Sequence, residues 1–396
     1  MEFAFTEEQQ MIRDTAESFL QEVSTSEAIR TAMTTDMGYD PELWESICTD
    51  LYWQAIHIPE EFGGMGLGYV ELVAMMEQMG RFLLCSPFFS TVCLAANALI
   101  IAGTEEQKAS YLPQICEGKT ATVAYTGASA AQRSGQWGAD TINVIAEKTG
   151  DQFVLNGAVR FVADGATSDI LVVAARSEGS QGEEGVSLFV LPADTVGVER
   201  IMLPTMDQTR KQAEIVFSDV SIPCNALMGS EGNAWSELST VIDLATVALA
   251  AEQMGGAQQV MDLTVEYTKE RKQFNRPIAG FQAIKHKAAD MMTRVEVARS
   301  GVYYAACVAQ DAFATAATGN NVGEFSEELP EAASIAKSYC SDAYFKNAGE
   351  AIQMHGGVGF TWEYDIHLYF KRAKASEHFL GNGTYHRERL ASMLLD

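Results

Sequence analysis

The chain has 396 residues, 47% of them apolar, and a formal net charge of −26. That charge argues against non-specific nucleic-acid binding or attachment to an anionic membrane surface, both of which need basic patches. No apolar run reaches the ~18 residues of a membrane-spanning helix, and the length allows two or three domains around a large core. The N-terminus, MEFAFTEEQQMIRD, lacks a basic stretch ahead of an apolar one, which argues against a secretory signal. Seven cysteines are scattered without a CxxC, the pattern of free buried thiols in a cytoplasmic protein and not of a disulfide frame or a metal site.

Residues 1–120 read as an all-α domain. Thr6 and Gln9 form a capping-box pattern ahead of an apolar-periodic segment. PELWESICTDLYWQ and YVELVAMMEQMGRFLL are further helical patterns, joined by a glycine-rich connector, Ile58–Gly68, that follows no strand and so does not favour phosphate binding. Thr104, followed by Glu105, Glu106 and Gln107, caps another helix that ends at the turn CEGKT. Residues 121–230 change character: short runs rich in Val, Ile and Phe, such as DILVVAARS and AEIVFSDVSI, alternate with Gly, Asp and Asn turns. This predicts an all-β sandwich or barrel, not a βαβ unit. Residues 231–396 return to long helical patterns of a four-helix bundle. Val247, Ala250, Ala251, Met254, Ala257, Val260, Met261 and Val265 fall at three/four spacing on one helix; Pro277 is read as its break and Phe281 as the start of the next. The fold class is α+β and multidomain, in the order α, β, α.

Five segments in this order resemble the acyl-CoA dehydrogenase family over the whole chain: FTEEQQMIRD, IPEEFGGMGLG, LNGAVRFVADGATSDILVVAAR, ERKQFNRPIAGFQAIKHKAADM and IQMHGGVGFTWE. The resemblance implies an FAD enzyme that desaturates an acyl-CoA thioester between Cα and Cβ and passes electrons to an electron-transferring flavoprotein. A carboxylate of raised pKa takes the weakly acidic α-proton, donors hold the thioester oxygen, and the flavin takes the β-hydrogen as hydride.

The carboxylate is missing where the family keeps it. The residue before Gly383-Thr384 is Asn382, whose amide accepts no proton; the alternative position on the long helix is Ala245, and the arginine that commonly follows is Thr246. Asp243 lies two residues before Ala245, roughly 200° around a helix, and so points away from it. Glu252 is seven residues on, near the same face but ~10 Å along the axis, a weak substitute base. His386 reads as a surface histidine at a helix start.

The flavin side is divided. The family's motif against the isoalloxazine is replaced here by YTGASAAQRSG from Tyr125, and its Trp-Ile-Thr/Ser by Phe161, Val162 and Ala163, without the hydroxyl. The elements a subunit lends to its neighbour's FAD match: Arg271 for the pyrophosphate, Gln273 and Phe274 beside it, Gln282, the Gln353, Gly356 and Gly357 loop, and Thr384. Arg271 also fits a cation at a helix C-terminus, and Phe274 a core residue. Arg294 and Lys287 are the nearest candidates for CoA contacts.

Three functions are compatible with this pattern. The first is the base-lacking subunit of a heteromeric, tetrameric enzyme for a bulky, steroid-like acyl-CoA, completed by a homologous chain. The second is a self-sufficient homo-oligomeric dehydrogenase with a relocated base. The third is a family member repurposed for another acyl-CoA reaction or for binding alone.

Overall fold

The structure is a computed structural model that describes residues 5–126, 137–320 and 323–395. The first helices are α1 (Glu7–Val23), α2 (Ser26–Thr34), α3 (Pro41–Thr49), α4 (Tyr69–Arg81), α5 (Asn97–Ala102), continuous with a π-helical turn from Phe89, and α6 (Glu105–Cys116). Both anticipated caps form. The Gln9 backbone N–H donates to Thr6 Oγ1 at 3.2 Å, and the Thr6 N–H donates to Gln9 Oε1 at 3.0 Å. Thr104 and Gln107 repeat the arrangement, and the Gln107 amide also donates to the Asn225 and Leu227 carbonyls, tying α6 to the following domain.

A histidine sits in the core of this helical layer. His57 donates from Nε2 to Asn97 Oδ1 at 2.7 Å, and burial pushes its pKa down to about 4. The unfolded chain takes up a proton near pH 6.5 that the folded chain refuses, so the stabilisation is complete above pH 6.5 and is lost as pH falls toward 4. Between pH 7 and pH 5 this one group removes about 2 kcal/mol of stability. Urea unfolding of His57→Gln at both pH values is expected to show that part of the pH dependence abolished.

The middle domain is one hydrogen-bonded eight-stranded sheet. Its strands are β1 (Ala121–Ala124), β2 (Ile145–Thr149), β3 (Gln152–Ala163), β4 (Ile170–Arg176), β5 (Val186–Pro192), β6 (Val198–Met202), β7 (Gln212–Pro223) and β8 (Leu227–Met228). The order is β6-β7-β3-β2-β4-β5-β8, with β1 parallel to β4. β4, buried along its whole length, is the hydrophobic centre. β2 and β3 form a hairpin whose two-residue loop starts at Gly150, φ +62°, a left-handed position that glycine adopts without strain. β3 slips register against β7 between Val159 and Val162, where Phe161 has φ +61°.

The last domain contains α7 (Trp235–Glu270), α8 (Gln282–Thr318), α9 (Leu329–His355), α10 (Ile366–His378) and α11 (Gly383–Leu395). α7 is the axis: it packs on α4, α8 and α9 and is buried from Asp243 to Ala257. A Cβ at Gly255 would lie 1.8 Å from the Glu77 carbonyl oxygen and one at Gly80 1.9 Å from that of Glu252, so α4 and α7 cross backbone to backbone. The break expected at Pro277 comes earlier. α7 stops at Glu270 because β9 (Lys272–Gln273) and β10 (Arg276–Pro277) form a hairpin whose tip, Phe274 and Asn275, is left-handed, with φ +52° and +60°. Pro277 sits on the returning strand. Phe281 caps α8 as anticipated. All seven cysteines are free, five of them buried and Cys224 and Cys307 half-buried. No described helix is long and apolar enough to cross a membrane, and the described residues hold no cluster suited to a metal ion.

Candidate active site and cofactor half-site

The positions where the family keeps its base are occupied by residues with other tasks. Asn382 Oδ1 accepts the Tyr385 backbone N–H at 2.9 Å, which makes it a cap for the first turn of α11. Ala245 and Thr246 are fully buried, and the Thr246 hydroxyl donates back to the Ile242 carbonyl at 2.7 Å.

Glu252 is not poised as a substitute base. It is buried, with Oε2 2.5 Å from Arg210 Nη2 and Oε1 2.8 Å from Arg372 Nη1, while Arg372 Nε reaches Asp207 Oδ2 at 2.9 Å. Burial alone would raise its pKa, but the two guanidiniums outweigh burial and hold the carboxyl below its ordinary range. A general base for an α-proton needs the opposite shift. Asp243, read as pointing away from Ala245, lines a groove between the sheet and the bundle that Ala245 does not line. Burial raises its pKa, and Arg389 opposes this by engaging both oxygens, one at 2.7 Å. The reading of His386 as a surface histidine is corrected: it is buried, with Nε2 3.0 Å from the Leu380 carbonyl and Nδ1 3.3 Å from Ser334 Oγ, and burial pushes it down to about 3.

The residues matched to the isoalloxazine side are described in part. Of YTGASAAQRSG, only Tyr125 and Thr126 lie within the described residues. Phe161, Val162 and Ala163 close the end of β3, where Ala163 pairs with Gln212. Across from them an aromatic column runs from Tyr125 to Trp137 (5.9 Å), Trp137 to Phe379 (5.3 Å) and Phe379 to Phe89 (5.8 Å), and the Arg210 guanidinium lies 4.7 Å over Phe89. Gln212, Arg210, Arg372 and Phe379 also line a cavity of about 20 Å³. That holds a water molecule, whereas ligand pockets start near ~300 Å³. A cavity of that size admits no flavin ring.

All the outward elements except Thr384 are gathered at one end of the bundle; Thr384 opens α11, which packs on the start of α9 through His386 and Ser334, ~28 Å along that helix from Gln353. Tyr267, one turn before the end of α7, stacks on His355 at 4.1 Å and donates its hydroxyl to the His355 carbonyl at 3.2 Å. This places the Arg271 hairpin beside the loop that follows α9. Arg271, Gln273, Gln282, Gln353, Gly356, Gly357 and Thr384 are all exposed, and Phe274, expected as either a contact or a core residue, is 87% exposed. A Cβ at Gly356 or Gly357 would meet nothing within 4 Å, which leaves that backbone open to close approach. Arg271 has no ion pair among the described residues. These groups fit the pyrophosphate and adenine portion of a dinucleotide.

Arg294 and Lys287 do not line the groove. Arg294 donates to Asn347 Oδ1 at 3.2 Å and Lys287 pairs with Glu350, whereas the groove meets α8 from Ala312, ~27 Å further along the helix. Sequence reasoning missed Trp137, Phe379, Arg210, Arg372 and Asp207. An arginine in the run KRAK carries no signal of burial, and only the number of unpaired buried carboxylates would have demanded one.

Profiles of the acyl-CoA dehydrogenase N-terminal, middle and C-terminal domains match residues 6–119, 132–220 and 235–395. Acyl-CoA dehydrogenase IpdE2 of Mycolicibacterium smegmatis is 32% identical over 377 residues, 95% of both chains. Butyryl-CoA dehydrogenase from Megasphaera elsdenii superimposes with a TM-score of 0.88 at 28% identity over 100% of both chains. The ChsE4–ChsE5 complex from Mycobacterium tuberculosis contains a chain that superimposes with a TM-score of 0.85 at 26% identity, covering 100% of this chain and 99% of that one. With its three domains and nearly its full length matched, the chain belongs to the acyl-CoA dehydrogenase family.

Proposed function

We propose that this chain is the base-lacking subunit of a heteromeric, FAD-linked acyl-CoA dehydrogenase acting on a bulky acyl-CoA thioester in the cytoplasm. A homologous partner supplies the carboxylate and the ring-binding sheet. This chain contributes Arg271, Gln273, Phe274, Gln282, Gln353, Gly356, Gly357 and Thr384 across the interface, and electrons leave through an electron-transferring flavoprotein. The observation that carries the reading is that Asn382, Ala245 and Glu252 offer no poised carboxylate while the outward half-site stays open. The likeness to a chain of the ChsE4–ChsE5 complex supports the paired assembly. The family's paired subunits, which serve bulky ring-bearing esters, give the ground for a steroid-derived acyl group.

When bound, the cofactor accepts the β-hydrogen. This chain's share is to hold the dinucleotide with a fork of N–H donors and an open glycine backbone. Purified alone, the protein is expected to be colourless in the flavin bands, and co-expression with its partner to restore about one FAD per pair of chains. A yellow homo-oligomer that desaturates acyl-CoA unaided would defeat the proposal.

A further inference from the structure

A two-lobed groove runs between the sheet and the last domain, with lobes of about 790 and 610 Å³ that share Glu183, Trp235, Ser239 and Asp243. Its inner lobe reaches Ile242 and Tyr385, next to the two positions at which the family keeps its base. It is therefore the route a thioester would take to this chain's own site. The inner lobe ends in aromatic packing. Trp137 lines it and packs edge-on against Phe379, at 5.3 Å and 85°.

The mouth is acidic. Glu183 and Glu184, in the loop between β4 and β5, and Glu327, ahead of α9, line the outer lobe, while Asp140 and Glu388 line the inner one. Among the described residues the only cation on the lining is Arg389, and both oxygens of Asp243 already hold it. A CoA ester carries several negative charges on its phosphates and needs local lysine or arginine to bind. Here it would approach exposed carboxylates well within a Debye length, with no free cation among the described lining residues to offset them.

We infer that this chain's own groove excludes CoA thioesters, with Glu183, Glu184 and Glu327 as its specificity-determining residues, so that the ester is directed to the partner's groove. The inference rests on the reading above that the partner carries the base. It adds that the second groove of the assembly is shut by charge.

The test is a titration of coenzyme A into the purified full chain, by calorimetry at low and at raised salt. The comparison is the triple variant Glu183→Lys, Glu184→Lys, Glu327→Lys. All three side chains are exposed, so the fold is not at risk, and a circular dichroism spectrum verifies this. The expected result is that reversal tightens CoA binding at least tenfold and that the gain shrinks as salt is raised. A smaller gain, or wild-type binding as tight as the variant's, overturns the inference. The titration involves no flavin, so its failure is read separately from that of the shared-cofactor proposal, which shows in the absorbance of the lone chain.

Discussion

Replacing Glu252 by Gln is expected to lower the unfolding free energy by about 3–5 kcal/mol. The amide keeps the volume, so no cavity contributes. What changes is the charge balance of a cluster in which Glu252 and Asp207 face Arg210 and Arg372 with almost no solvent contact. Removing one carboxylate leaves a buried guanidinium uncompensated, and its desolvation penalty is then borne in full. The effect appears as a lower urea midpoint at unchanged slope. The same variant separates two roles. A relocated base would lose roughly 10²–10⁴ in rate with little effect on stability, whereas an ion-pair anchor loses stability whether or not the chain has any activity. A Glu252→Gln protein as stable as wild type would return this residue to the candidate bases.

Why that role is invisible in the sequence, when so much of the fold is legible, follows from the range of the interactions. The capping boxes at Thr6 and Thr104 depend on residues three apart, and both form as the pattern predicts. The α, β, α order follows from local pattern: long helical stretches such as α7, and short runs rich in Val and Ile such as β4, bounded by turn residues. The end of α7 is easily misread because proline is a strong local signal. The actual terminator is a hairpin tip built from Phe274 and Asn275; asparagine tolerates positive φ, but phenylalanine rarely adopts it, and the pair is a weaker signal than proline. Glu252, Arg210, Arg372 and Asp207 come from three separate segments, and their pairing exists only after the sheet has docked on the bundle. The same holds for Trp137 and Phe379. From the sequence, a residue other than a carboxylate at Asn382 and Ala245 could be stated, but not the aromatic and charged packing that, on the proposal above, replaces the ring site.

That replacement gives the remaining prediction its direction. If the ring is held elsewhere, the residues that matter for FAD in this chain are exposed ones whose loss costs the isolated protein nothing. Arg271→Ala is expected to weaken FAD binding by the co-expressed assembly about 10- to 100-fold, since a charge-assisted hydrogen bond to a phosphate is worth about 1.5–3 kcal/mol. Arg271→Lys should recover part of this, because it keeps the charge but not the planar fork. The measurement is the FAD retained per pair of chains after dialysis, together with the thermal midpoint of the chain alone. A cation that only satisfied the C-terminus of α7 would show the converse pattern: a loss of about 0.3–1 kcal/mol in the isolated chain and unchanged cofactor content. Arg271 lies just beyond the last residue of α7, so it is placed for either task. Its exposed position, its lack of an ion pair among the described residues and the open glycine backbone beside it favour a phosphate as the missing partner. An assembly of the Arg271→Ala variant that keeps its full complement of FAD would leave the dipole as the only function of that charge.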